Sequence, residues 1–182
     1  LARRAELEGV QLVTVHGRTR QQFYKGRADW SAIRAVRQAI SIPLIANGDC
    51  ESVSDARAML TASGADGVMI GRAALGRPWL IGEIAHGLDP EMVAAPSRQA
   101  RGDAAREHLA TLTELMGARA GLRHARKHLA AYVDHIGGQD PARAKDRMRL
   151  VTTDDLVEAQ TLLASFFASA DDGRAAPEAA AA

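Results

Sequence analysis

Three short segments place polar, glycine-bearing residues directly behind apolar, β-branched runs. His16-Gly17-Arg18-Thr19 closes the run at 10–16, Asn47-Gly48-Asp49 follows 42–46, and Gly71-Arg72 follows 67–70. A glycine lets the main chain approach a ligand closely and leaves its N–H available. In parallel α/β architectures ligands bind at the carboxyl ends of the strands. Two successive glycine-bearing strand ends, the second opening a helix, match the phosphate site of a (β/α)8 barrel. Charge-assisted contacts are each worth about 1.5–3 kcal/mol, so four or five would hold a phosphate monoester. Arg72 would add a permanent positive charge. Taken singly, Asn47-Gly48-Asp49 reads as an ordinary turn, and His16 reads equally well as a satisfied strand-end histidine. It is the run of three consecutive strand ends that points to a phosphate-bearing ligand.

No second chemistry stands out. Cys50 is the only cysteine, so it forms neither an internal disulfide nor a thiolate zinc site. Nothing near it in sequence would activate it, and a structural role is expected. His86, His108, His124, His128 and His135 lack metal-ligand spacing. His124 and His128 are four apart, but in a basic helix that would repel a cation; they are expected on a packing or polyanion-facing surface. No metal site is expected, and no nucleophile or acid–base set is legible.

The elements that must carry these residues fall into two grammars. Residues 1–92 alternate strand and helix: a helix ending near Gly9, strands at 10–16, 42–46 and 67–70, helices at 30–40 and 52–63. Ser52 followed by Asp55 resembles a capping box. Apolar strands separated by helices predict a parallel sheet. From residue 96 onward the periodicity is helical, at 98–116, 122–136 and 154–168. Residues 169–182 are expected to form a disordered tail. Because Leu1 is not methionine and falls inside a helical pattern, the chain is expected to be the C-terminal piece of something longer.

The 182 residues are 47% apolar and 25% charged, an ordinary globular mix, with a formal charge of +1. That balance excludes a uniformly basic nucleic-acid coat and an acidic disordered protein. No apolar run nears the roughly 18 residues a bilayer requires, so no membrane association is expected. A soluble chain of a reducing compartment, the cytoplasm, is the expectation. The charge is unevenly spread. Residues 117–150 hold eight basic residues against three acidic, whereas residues 151–182 hold one against six. Arg119, Arg123 and Arg126 or Lys127 fall on one helical face, a stripe suited to a polyanion backbone. A solvated face paired with the acidic last helix accounts for the same pattern equally well.

The strand ends also resemble a known family. Residues 13–20 (VTVHGRTR), 24–30 (YKGRADW), 42–49 (IPLIANGD) and 65–79 (ADGVMIGRAALGRPW) are similar to those of the tRNA-dihydrouridine synthases, best to the bacterial B-type branch once grouped with nitrogen-regulation proteins. ARKH at 125–128 and Tyr132 resemble that family's helical domain. The resemblance implies a (β/α)8 barrel, here about strands six to eight in residues 1–92, followed by an all-α tRNA-binding domain at 96–168. It implies an enzyme that uses FMN and NADPH to reduce uridines in tRNA, with hydride passing from the flavin to uridine C6 and a cysteine protonating C5. On matching positions, Asn47, Gly48, Asp49, Gly71 and Arg72 would hold the flavin phosphate and ribityl end. His16 would lie near the flavin ring and base, with Arg18 beside it toward the substrate. Arg119, Arg123, Arg126 and Lys127 would contact tRNA phosphates. The family's cysteine, in an N-x-G-C-P-like motif, and its flavin-contacting lysine have no counterpart here. No catalytic residue is therefore assigned, and the chain alone is expected to bind flavin poorly and not to turn over tRNA. Two other readings share the residue pattern: a truncated, non-catalytic RNA-binding remnant, and another phosphate- or FMN-binding barrel oxidoreductase acting on a small metabolite.

Overall fold

The computed structural model describes residues 1–23, 25–91, 95–136 and 140–168. The chain divides into two compact units, Leu1–Pro96 and Ser97–Ala182. The first is α/β. Helix α1 (Ala2–Leu7) precedes strand β1 (Val13–His16); a 3-10 turn (Ser31–Ile33) runs into α2 (Arg34–Arg37). Strand β2 (Leu44–Asn47), α3 (Val53–Ser63) and β3 (Gly67–Met69) follow. A second 3-10 turn (Arg72–Ala74) leads to α4 (Leu80–Leu88).

The three strands are parallel and stand in sequence order, with His16 level with Asn47 and Asn47 level with Met69. Each strand is shorter than its apolar run. β2 starts only after Pro43, which has no N–H to give a ladder, although its carbonyl still accepts from Val13. The helix expected over 30–40 contracts to the 3-10 turn and a single turn of α2, and within those two elements only Ile33 is buried. The start of α3 forms as its sequence requires: the Ser52 hydroxyl accepts from Asp55 N–H, and the Asp55 carboxylate accepts from Ser52 Oγ and Glu51 N–H. Gly64 ends α3 at φ +67°, a left-handed cap natural to glycine.

Period-two alternation sorts the sheet into two faces. Leu44 and Ala46 are fully buried and pack with Ile33 before α2 and with Ala56 and Met59 of α3; Val13, Val15 and Val68 join them. Thr14, His16, Ile45, Asn47 and Met69 point to the other face, where all are exposed or half-buried. The apolar strands expected from the sequence are thus covered on one face only among the described residues.

The second unit is helical: α5 (Arg98–Met116), α6 (Ala118–Asp134), a 3-10 turn (Pro141–Arg143), α7 (Ala144–Thr152) and α8 (Leu156–Ala168). Leu109, Leu122, Leu129, Leu150, Leu163 and Phe166 fill its core. At Gly102 a methyl group would lie 2.8 Å from Phe167 Cβ, so α5 approaches α8 closely there. Helix α7 escaped the sequence reading because only Leu150 of its nine residues is buried. Polar contacts hold it instead. Asp140 caps the turn before it, and Arg147 makes a two-pronged pair with Asp134 at 2.6 and 2.7 Å. The expected tail at 169–182 lies outside the described residues.

His108 of α5 and His124, His128 and Tyr132 of α6 form a cluster. His108 and His128 have ring centroids 4.8 Å apart, and His108 Nδ1 is hydrogen bonded to the Tyr132 hydroxyl at 3.2 Å. Burial, and then the neighbouring charges of His108, Lys127 and His124, hold the His128 pKa below its ordinary 6.5. The folded unit thus disfavours the imidazolium, and unfolding takes up a proton as pH falls below that value. Stability of this unit is full above pH 6.5 and declines on acidification through the lowered folded value. Amide exchange in α5 and α6 should show this loss between pH 7.5 and 5.5, and His128→Gln should flatten it. An identical acid response in the variant would contradict the assignment.

Candidate functional site

The sheet brings its three polar strand ends side by side, and Asn47 ties them together. Its side-chain N–H donates to the Met69 carbonyl at 2.8 Å, which turns its Oδ1 toward His16. Because Oδ1 only accepts, His16 Nδ1 carries the proton of that 2.6 Å bond, which in the neutral form of the ring leaves Nε2 as its acceptor. Gly17 N–H donates to the Asn47 carbonyl at 2.8 Å. His16 is exposed, with Asn47 half-buried beside it.

The turn after β2 is built for close approach. Gly48 has φ +123°, and a methyl group on it would sit 2.7 Å from Ala28 Cβ. Asp49 follows at φ +56°, a conformation that aspartate tolerates better than most residues. Its Oδ2 accepts from Arg18 at 2.5 Å and from Ala28 N–H at 2.8 Å, while Arg72 lies 4.0 Å from Oδ1. Burial acts to raise the Asp49 pKa. The hydrogen bonds from Arg18 and Ala28 N–H, with the Arg18 and Arg72 charges, outweigh it and leave the pKa lowered. The carboxylate is therefore anionic and engaged, unsuited to touching a phosphate itself; any anion held here meets main-chain N–H groups and Arg72. Gly71 is exposed with nothing among the described residues within 4 Å of where a Cβ would lie, and the Arg72 side chain is 63% exposed. These features fit a phosphate-bearing group.

Arg18, expected to face substrate, instead has a side chain only 3% exposed, directed at Asp49 and the Gly26 carbonyl. Sequence reasoning assigned no role to several residues that shape the site. Trp30 donates its indole N–H to the Gly48 carbonyl at 2.7 Å, and Asp29 N–H donates to the Gly17 carbonyl at 2.7 Å. Arg77 donates to the Ala73 and Glu51 carbonyls, joining the segment after β3 to the one after β2. The motifs at 24–30 and 65–79 contain all three residues, and that was the available signal. Cys50 is buried, its pKa pushed up to about 11 by burial and then by Asp55 and Glu51. It is a neutral thiol at physiological pH, in keeping with the structural role expected of it.

In the helical unit the basic stripe separates by orientation. Arg119, Arg123 and Lys127 are exposed along α6. Arg126 turns away to the Thr152 and Thr153 carbonyls and Asp154, where it closes the end of α7. Arg143 meets the Ser165 and Phe166 carbonyls at the end of α8, and Arg149 pairs with Glu158. Part of the basic excess thus serves the bundle itself, and part remains on its surface. Among the described residues no group of three or more His, Cys, Asp or Glu is arranged to hold a metal ion, and no helix is long and apolar enough to cross a membrane.

Comparison with known proteins follows the same residues. The family model described as dihydrouridine synthase (Dus) matches residues 1–168. The chain is 49% identical over 178 residues to a probable tRNA-dihydrouridine synthase of Rhizobium leguminosarum bv. phaseoli, covering 97% of this chain and 53% of that protein. It is 46% identical over 149 residues to one of Rhodobacter capsulatus, covering 80% and 44%. It is 45% identical over 135 residues to tRNA-dihydrouridine synthase B of Shewanella oneidensis, covering 74% and 42%. The chain spans about half the length of these relatives. On the extent of the family match and these identities, the chain belongs to the dihydrouridine synthase family.

Proposed function

We propose that the chain carries the phosphate-holding strand ends and the RNA-facing helices of a tRNA-dihydrouridine synthase, an oxidoreductase that saturates the C5–C6 bond of uridines in cytoplasmic tRNA. The observation that carries this reading is the alignment of His16, Asn47, Gly71 and Arg72 at one edge of a parallel sheet, in a chain of this family. A (β/α)8 barrel, with β1 to β3 as about strands six to eight, accounts for the sheet's winding. Sequential parallel strands with both connecting helices on one face suit a barrel, whereas a doubly wound sheet has helices on both faces.

The cofactor that suits this edge is FMN. Main-chain N–H groups at Gly48, Asp49 and Gly71 and the Arg72 guanidinium would hold its phosphate, Asn47 and Asp49 the ribityl end, and His16 would lie nearest the ring and the base. When bound, FMN supplies a hydride to the uridine ring, and NADPH renews it. His16 Nε2 can accept a hydrogen bond from the bound base or cofactor, because Asn47 holds its other nitrogen. Cys50 lies in the hydrophobic core on the covered side of the sheet and takes no part in proton delivery; the proton donor and the rest of the flavin contacts would come from outside these 182 residues.

Arg119, Arg123 and Lys127 would orient tRNA through its phosphates without reading sequence. The target uridine must leave its stack to present C5 and C6.

Two measurements test this. A chimera joining the amino-terminal half of the Rhizobium relative to residues 1–182 should retain equimolar FMN through gel filtration, and residues 1–182 alone should not. Arg72→Ala in the chimera should weaken FMN binding about 10- to 100-fold, the worth of one charge-assisted contact. Equimolar flavin on the isolated chain would contradict this division. Changing Arg123 and Lys127 together to Ala should weaken tRNA binding and lower the salt slope by about 2; an unaltered slope would remove the α6 face from the RNA interface.

A further inference from the structure

The Arg18–Asp49 pair has an unusual cost. The Arg18 side chain is 3% exposed, and two of its nitrogens, Nε and Nη1, are buried without a hydrogen-bond partner among the described residues. Both of its bonds, to Asp49 Oδ2 at 2.5 Å and to the Gly26 carbonyl at 2.8 Å, come from the single nitrogen Nη2. A buried ion pair with unmet donors contributes little net stability, and apolar residues of similar volume often replace one without loss. What the pair does accomplish is geometric. The same Asp49 oxygen holds Ala28 N–H, the neighbouring Asp29 N–H reaches the Gly17 carbonyl, and Trp30 reaches the Gly48 carbonyl at 2.7 Å. Ala28 Cβ then lies where a side chain on Gly48 would have to go. The segment after β1 is thereby pressed on to the turn after β2, one residue beyond the Asn47 carbonyl that accepts from Gly17 N–H.

We propose that Arg18 is a positioning residue: acting through Asp49, it clamps the 26–30 segment on to the Asn47-Gly48-Asp49 turn and so fixes His16 against Asn47. The identity of what those strand ends hold rests on the function proposed above; the clamp does not.

The test uses the 182-residue chain without flavin, so its failure and that of the cofactor reading are separate results. In Arg18→Met, hydrogen exchange at Ala28 N–H, Asp29 N–H and the Trp30 indole should quicken about tenfold, as expected when one charged tie to a local segment is lost. The His16 Nδ1 resonance should move toward that of an unpaired ring, while amides of β2 and α3 keep their protection. Asp49→Asn retains an acceptor for both donors and suits a positive φ, so its loop protons should exchange at rates between the wild type and Arg18→Met. Uniform acceleration across the sheet, or failure of Arg18→Met to fold, would make Arg18 a stability anchor and overturn the proposal. Unchanged loop exchange in either variant would overturn it as well.

Discussion

A single side-chain amide, that of Asn47, sets the geometry on which the α/β unit's polar edge depends. It donates to one neighbouring strand and accepts from the histidine of the other, so a shift of any strand by one residue breaks a bond on the middle one. Register in a sheet is otherwise set by which residues are buried. Here Leu44 and Ala46 supply that constraint on the covered face, and Asn47 supplies it at the strand's end. The two act together: burial chooses the face, and the amide chooses how far each strand extends.

Charge is distributed by the same logic in both units. Arginines are spent on carbonyl groups that helices and turns leave without partners: Arg126 at the end of α7, Arg98 and Arg143 at the end of α8, Arg34 at the end of α3, Arg77 across two connecting segments. The guanidinium fork suits this because it offers several donors in one plane. Arg119, Arg123, Lys127 and Lys145 stay exposed. The near-neutral total therefore conceals two populations of cations, one structural and one facing outward.

Much of the architecture was legible in the sequence for identifiable reasons. The strand runs, the Ser52 cap and the long periodic helices α5, α6 and α8 announce themselves through local chemistry, and the glycine-bearing strand ends fall together because parallel strands share a direction. The limits were equally physical. A proline shortened β2, and a helix with one buried residue gave no periodicity. The direction of an arginine is decided by what it packs beneath: Arg18 and Arg126 looked like outward-facing cations in sequence, but a carboxylate and one carbonyl turn Arg18 inward, and a carboxylate and two carbonyls turn Arg126. The family motif at 24–30 marked the clamp's residues without revealing that Trp30 and Ala28 grip the turn.

Among the described residues, β1 and β3 each have a strand neighbour on one side only. The outer rims of such strands offer N–H and C=O groups spaced to template another strand, and the apolar Val10, Leu12 and Met69 stand exposed in or beside them. In these 182 residues taken by themselves, such rims favour pairing with other chains. Lysine or proline introduced along those rims would be the natural way to keep these 182 residues monodisperse in solution.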